Sequence, residues 1–399
     1  MFIPLIPCHG NMPNLSANLL LDVALCETPL TTTGALVITG DSEQSLPLDM
    51  LMVLDMSGSM RGEGETILGQ TANYTLEKLM RPQDRLAIIT FSQGAQLHSD
   101  WVGPGSQGSV SPFQAGGGTN FGAAIKETLS FLGSNNKDDS RAGVVLFLSD
   151  GHAGQTASDQ NVLTIPEFGF TMHTMGVTSG ANPNHLDHMA ELARGFYFDS
   201  PSYQDVQQSF ESLFNYGQTI SYSAPDLRIT VSDGVEISEI IQVPQGLEIE
   251  KGPLGPGSHT VSLSHMTVGM RSELSFRVKV QNVECSDNLL ATFECINGRT
   301  ELRVKGTQDK TDLLGAQQNS VVTLISETGK AARLIKTGDT SGATRAITRI
   351  DTLTKTNPNA GTVAKTLTDV STRTSTADQL ESLGKLQVDK DGKTQVRED

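Results

Sequence analysis

Met50-Leu51-Met52-Val53-Leu54 runs without a polar break into Asp55-Met56-Ser57-Gly58-Ser59. An apolar run bounded by turn residues predicts a strand buried on both faces, as in a parallel sheet covered by helices. The chain leaves that strand at its carboxyl end, where open α/β sheets bind ligands. A tight turn containing Gly58 then aims one carboxylate and two hydroxyls at a single spot. Hard oxygens in that arrangement suit Mg²⁺, or Mn²⁺ or Ca²⁺ in its place.

Working outward, strands and helices alternate from Pro47 to about Gly217. A helical pattern from Glu65 to Met80 stops at Pro82. Leu86 to Phe91 reads as the next strand and Ala95 to Trp101 as a short hairpin partner. Gly116-Gly117-Gly118 leads into a helix from Asn120 to Leu132. Val144 to Leu148 is a second fully buried strand and Phe170 to Val177 a third. A helix from His185 to Arg194, an edge strand Phe196-Tyr197-Phe198 and a closing helix from Asp205 to Tyr216 complete the series. Repeated βα units predict a doubly wound, mostly parallel, Rossmann-like sheet with helices on both faces.

Asp55, Ser57 and Ser59 form an Asp-x-Ser-x-Ser sequence, Thr119 follows the glycine-rich loop, and Asp150 follows the Val144–Leu148 strand in Leu148-Ser149-Asp150-Gly151. These five residues, each at the end of a strand or the start of a helix, resemble the metal-ion-dependent adhesion site of the von Willebrand factor type A (VWA) family. Arg85 to Ser92, Met175-Gly176-Val177, Leu186 to Ala193 and Gly195 to Phe198 are similar to the family's later strands and last helix. The resemblance covers about residues 46–217. It implies that Ser57 and Ser59 coordinate the ion directly, and that Asp55, Thr119 and Asp150 do so directly or through water. With two charged ligands the ion stays electron-poor and accepts an outside oxygen, an Asp or Glu carboxylate of a partner protein. Some family members, including those like the inter-α-trypsin inhibitor heavy chains and several plant and bacterial proteins, carry strands before and after this domain.

The flanks fit that pattern. Leu19 to Leu25 and Ala35 to Ile38 read as two strands in residues 1–45. After Ile220 the apolar residues alternate with polar ones, as in Leu227 to Val231, Val235 to Ile237, Thr260 to Leu263, Leu274 to Val280 and Leu302 to Val304. Such alternation predicts a half-exposed antiparallel β-sandwich over residues 218–306. From their order, the N-terminal strands join it, which makes the 46–217 domain an insertion. Residues 307–388 show three helical stripes: Leu314, Val321, Ile325, Ala332 and Ile335; Ala343, Ala346, Ile347, Ile350 and Leu353; Val363, Leu367, Val370, Ala377 and Leu380. Gly338 and Asn357-Pro358 separate them. The charged tail 389–399 is expected to be disordered.

Composition narrows the function. With 45 acidic against 29 basic residues and a formal charge of −16, the field repels phosphate backbones and anionic lipid, so no nucleic-acid partner is expected. No apolar run approaches the ~20 residues of a membrane span. Cys8, Cys26, Cys285 and Cys295 make no C-x-x-C pair and read as four reduced thiols, though Cys285 and Cys295 could face each other across a strand pair. The start, MFIPLIPCHGNMPN, lacks the basic region of a signal peptide, so the expected location is cytoplasmic, with extracellular by a non-classical route as the alternative. His152 on the site's rim, the His185/His188 pair, Cys8-His9 and the acidic pairs Asp138/Asp139 and Asp309/Asp312 read as solvated surface residues. The chain lacks G-x-S-x-G, H-E-x-x-H and Walker A sequences. A metal-dependent, non-enzymatic protein-binding role is therefore expected, ahead of a scaffold that the metal merely stabilises and of a metal-dependent hydrolase.

Overall fold

The computed structural model describes residues 14–40, 42–105, 113–135, 138, 140–150, 153, 156–177, 181–200, 202, 205–250, 252–296, 298–373, 376–384, 386–389 and 394–396. Cys8, His9, Asp139 and His152 lie outside them.

The chain opens with three strands rather than two: β1 (Asn14–Leu19), β2 (Val23–Leu25) and β3 (Leu30–Thr39). The apolar stretch from Leu19 to Leu25 is split because it serves two sheets. β1 pairs with β3 up to Leu19 opposite Gly34, whereas β2 runs parallel to a strand ending at Thr307.

The α/β unit follows. Its elements are β4 (Leu48–Asp55), α1 (Glu63–Tyr74, extended by a π turn to Leu79), β5 (Arg85–Phe91), β6 (Ala95–Val102), α2 (Phe121–Ser134), β7 (Ala142–Ser149), α3 (Asp159–Leu163), β8 (Phe170–Val177), α4 (Pro183–Leu192), β9 (Arg194–Ser200) and α5 (Val206–Gly217). The strand order is β6-β5-β4-β7-β8-β9, parallel except for β6. β4 sits between β5 and β7 with every residue buried. Its even-numbered residues, Leu48, Met50, Met52 and Leu54, join the core under α1 and α5, and Leu51 and Val53 join the one under α2 and α4. Both faces being covered explains why the run needs no polar alternation.

The remaining strands are β10 (Ile220–Tyr222), β11 (Asp226–Val231), β12 (Val235–Val243), β13 (Leu247–Glu250), β14 (Gly257–Ser262), β15 (Met266–Thr267), β16 (Met270–Val280), β17 (Asp287–Cys295) and β18 (Gly298–Thr307). One sheet runs β1-β3-β16-β12-β13 and a second β14-β11-β17-β18-β2. Residues on either side of the α/β unit thus build one sheet, with β3 and β16 in register from Thr39–Arg271 to Leu30–Val280. The two sheets enclose a common core that includes Leu36, Ile38, Ile237 and Phe276 from the first and Leu227, Ile229, Phe293 and Leu302 from the second. Phe276 and Phe293 meet across it at 5.4 Å.

Cys26 and Cys285 form a disulfide, which corrects the expectation of four reduced thiols. Cys285 precedes β17 and Cys295 ends it, so roughly 30 Å of extended strand keeps those two apart. Cys295 is free and buried among the core residues, and burial pushes its thiol up to about 12.

The C-terminal part comprises α6 (Lys310–Gly315), α7 (Ser320–Lys336), α8 (Thr340–Thr352), α9 (Ala360–Ser371), α10 (Thr376–Gly384), β19 (Leu386–Asp389) and β20 (Thr394–Val396). Threonines are tolerated in these helices because their hydroxyls bond back to carbonyls four residues earlier, as Thr344 does to Thr340 and Thr348 to Thr344, each at 2.8 Å. Three expectations need correction. Val321 is 40% exposed and Val322 takes its place in the core, since α7 lies across β3, β12 and β16 at a different rotation. Leu380 packs into the α/β core instead of continuing the third stripe. The end of the region read as helical, 307–388, is a strand: β19 pairs with β16, with Leu386 and Val388 buried, and β20, inside the 389–399 tail expected to be disordered, pairs with β19. Among the described residues no helix is long and apolar enough to cross a membrane.

Ion pairs and backbone bonds join the three parts. Lys336 of α7 lies 3.3 Å from Asp187 of α4, and both are largely buried. Arg333 pairs with Glu248 of β13 at 3.0 Å, and Arg194 donates to the Ile249 carbonyl at 2.8 Å.

Candidate metal centre

Asp55 is the last residue of β4 and is fully buried. Its Oδ1 accepts the Ser57 backbone N–H at 2.8 Å, which curls the chain into the 3₁₀ turn Gly58–Met60. Its Oδ2 accepts the Ser149 hydroxyl at 2.6 Å, across from the end of β7. The Ser57 and Ser59 hydroxyls share a hydrogen bond of 3.0 Å, and Met60 plugs the turn into the core below. The sequence-predicted trio Asp55, Ser57 and Ser59 is therefore one bonded cluster.

The glycine loop is stitched onto that turn. Gly58 donates to the Gly117 carbonyl at 3.0 Å and Gly116 to the Met56 carbonyl at 2.8 Å. Gly117 has φ 87°, a conformation that favours glycine. A Cβ at Gly58 would lie 3.3 Å from the Gly117 oxygen, so a side chain there would push the loops apart. Asn120 donates to the Ser92 carbonyl and caps α2 by accepting from Ala123 at 2.9 Å. Thr119, half-buried, is held between this cap and the stitched glycines.

Asp150 comes one residue after Ser149 and is 7% exposed. Its Oδ1 is buried and has no hydrogen-bond partner among the described residues. An unpaired buried carboxylate oxygen is strongly unfavourable unless a cation meets it. Burial holds the Asp55 carboxyl above its usual range; the Ser149 and Ser57 hydrogen bonds oppose this, and the Asp150 charge adds to it. Two carboxylates whose charges act on each other, beside two hydrogen-bonded hydroxyls, form the donor set of a hard divalent cation, and the residues present fit one.

Ser149 was not singled out from the sequence, although it directly precedes Asp150 and could have been suspected as a second layer. Among the described residues, His185 and His188 form no hydrogen bond with this cluster. His188 faces Asp159 at 3.3 Å, while His185 is half-buried, contrary to expectation, stacking on Phe121 at 5.6 Å. Among the described residues, no three His, Cys, Asp or Glu side chains are grouped to hold a metal. Asp138 and Asp309 are spent on local turns, accepting from Ser140 and Thr311.

Residues 49–212 match the family model of the von Willebrand factor type A domain. The chain carries a VWA domain. It is similar to an uncharacterized protein of Synechocystis sp., 26% identical over 190 residues, 45% of this chain and 44% of that one. It is also similar to inter-alpha-trypsin inhibitor heavy chain H4 of Bos taurus, 26% identical over 197 residues, 44% of this chain and 21% of that protein. The chain thus spans less than half the length of these curated relatives. Two solved structures share the fold over 94% of the chain and 97% of their own, each at 15% identity. They are a von Willebrand factor type A protein from Catenulispora acidiphila, TM-score 0.70, and the ArnB paralog VWA2 from Sulfolobus acidocaldarius, TM-score 0.68. The arrangement of VWA domain, flanking antiparallel sheets and helices therefore recurs as a whole.

Proposed function

We propose that this protein binds a partner protein through a divalent cation held by Asp55, Ser57, Ser59, Thr119 and Asp150, the partner supplying an Asp or Glu carboxylate. The single observation that carries this reading is the buried, unpartnered Oδ1 of Asp150 beside the Asp55 cluster. VWA domains generally serve metal-dependent adhesion and protein interaction. When bound, Mg²⁺ or Mn²⁺ supplies a hard Lewis-acidic centre able to take an external oxygen. The protein's own residues do the rest. Asp55 is fixed by two hydrogen bonds, the serine hydroxyls are pre-aligned, and the stitched glycine loop keeps Thr119 in place.

The role is binding and not catalysis. Among the described residues, no side chain of the five is hydrogen-bonded to a histidine, lysine or cysteine that could act as a base or nucleophile. The Cys26–Cys285 disulfide supports an oxidising compartment, and so the extracellular alternative over a cytoplasmic location.

The test is capture of partners from a lysate of the source organism in Mg²⁺, with EDTA and Asp55→Ala as controls, followed by substitution of partner acids. Binding should disappear with EDTA, return with Mg²⁺ or Mn²⁺, and fail when one partner Asp or Glu becomes Asn or Gln. A complex that tolerates both EDTA and every single acidic substitution would sink the proposal.

A further inference from the structure

Arg61 stands two residues after Ser59, exposed on the rim of the candidate metal centre. Its Nε donates to the Ala115 carbonyl at 3.4 Å, on the loop that carries Thr119. One terminal nitrogen lies 3.3 Å from the point where a Cβ on Gly116 would sit. Gly116 does not have a positive φ. The bare backbone there leaves room for the guanidinium against the loop. Most described arginines, Arg81, Arg85, Arg141, Arg271 and Arg333 among them, sit on carboxylates. Arg61 has no such ion pair among the described residues, in a chain with 45 acidic side chains. The nearby Glu65 carboxylate accepts the Ala115 N–H at 2.7 Å.

From this placement we infer that Arg61 selects the partner: it takes a second carboxylate, so the preferred ligand is an acidic peptide segment with two acids, one for the ion and one for the guanidinium. The inference rests on the metal-dependent reading above. A planar, permanently charged fork is suited to a carboxylate. A cation at this rim also draws acidic segments towards the site through an otherwise repulsive acidic field. The second contact is solvent-exposed, so its contribution is modest, about three- to tenfold in affinity.

The experiment uses the full chain loaded with Mn²⁺ and two synthetic hexapeptide probes, one with a single Asp in an alanine–serine background and one with a second Asp two residues away. The Mn²⁺ electron paramagnetic resonance spectrum reports carboxylate arrival at the ion, and titration gives both affinities. The wild type should prefer the two-acid peptide about three- to tenfold, and Arg61→Gln should bring that ratio to about one. An undiminished ratio in Arg61→Gln overturns the role of Arg61 and leaves the metal reading intact. If neither peptide changes the Mn²⁺ spectrum of the wild type, the metal-dependent reading falls, and this inference with it.

Discussion

The Ser149 hydroxyl donates to Asp55 Oδ2 at 2.6 Å, so the strand that delivers Asp150 also fixes the carboxylate at the end of its neighbour. A residue that orients a ligand typically changes metal affinity by about 10- to 100-fold when removed. Ser149→Ala should therefore weaken Mn²⁺ binding by about tenfold. Wild-type affinity in that variant, measured by titration, would mean that Asp55 is held well enough by Ser57 alone.

Asp150 gives the complementary case. Without metal, its buried Oδ1 destabilises the fold, so Asp150→Ala in chelator should melt at or slightly above the wild-type temperature. Mg²⁺ should raise the wild-type melting point and leave the variant's unchanged. Global unfolding of Asp150→Ala at ambient temperature would instead identify the residue as structural.

His265 should make stability depend on pH. Fully buried, it accepts the Ala224 N–H at Nδ1 and donates from Nε2 to the Gly143 carbonyl, bridging the VWA domain and the segment leading to β11. Burial lowers it from 6.5 to about 4, so the unfolded chain takes up the proton first. Its neutral form therefore favours the fold fully above about pH 6.5, and that advantage fades as pH falls towards 4. The loss is on the order of 3 kcal/mol. Denaturant melts from pH 7 to 4 should show it, and His265→Gln should flatten the profile; an equal slope in both proteins would assign the acid sensitivity elsewhere.

Removing residues 1–45 should expose the edge of β16 over the ten positions now paired with β3, Thr39–Arg271 to Leu30–Val280. Uncovered strand edges recruit other chains, so light scattering should report aggregation. A monodisperse monomer of residues 46–399 would show that the edge is protected by other means.

The α/β unit was readable because its signals are local. β4 declares itself by the unbroken apolar run Met50–Leu54, and each expected site residue follows a strand or starts a helix that such patterns locate. What escaped depends on contacts between distant segments. The division of Leu19–Leu25 between sheets is decided by β18, some 280 residues later. The Cys26 pairing is decided by a turn after β16, the rotation of α7 by the sheet beneath it, and the destination of Leu380 by the edge of β9. Ser149 was missed for a different reason: a serine beside an aspartate carries no signature until its hydroxyl is seen to point at Asp55.

The Cys26–Cys285 bond also governs how the molecule bears tension. Its sulfurs bypass 259 positions of chain, the whole VWA domain among them. A load applied between the two termini crosses from residue 26 to residue 285 through one covalent link, so the backbone of the segment that holds the candidate metal centre is bypassed. Stretching single molecules by their ends should release roughly 900 Å less contour length in oxidising buffer than after reduction. A partner gripping the rim near Ser59, by contrast, pulls directly on β4 at the middle of its sheet.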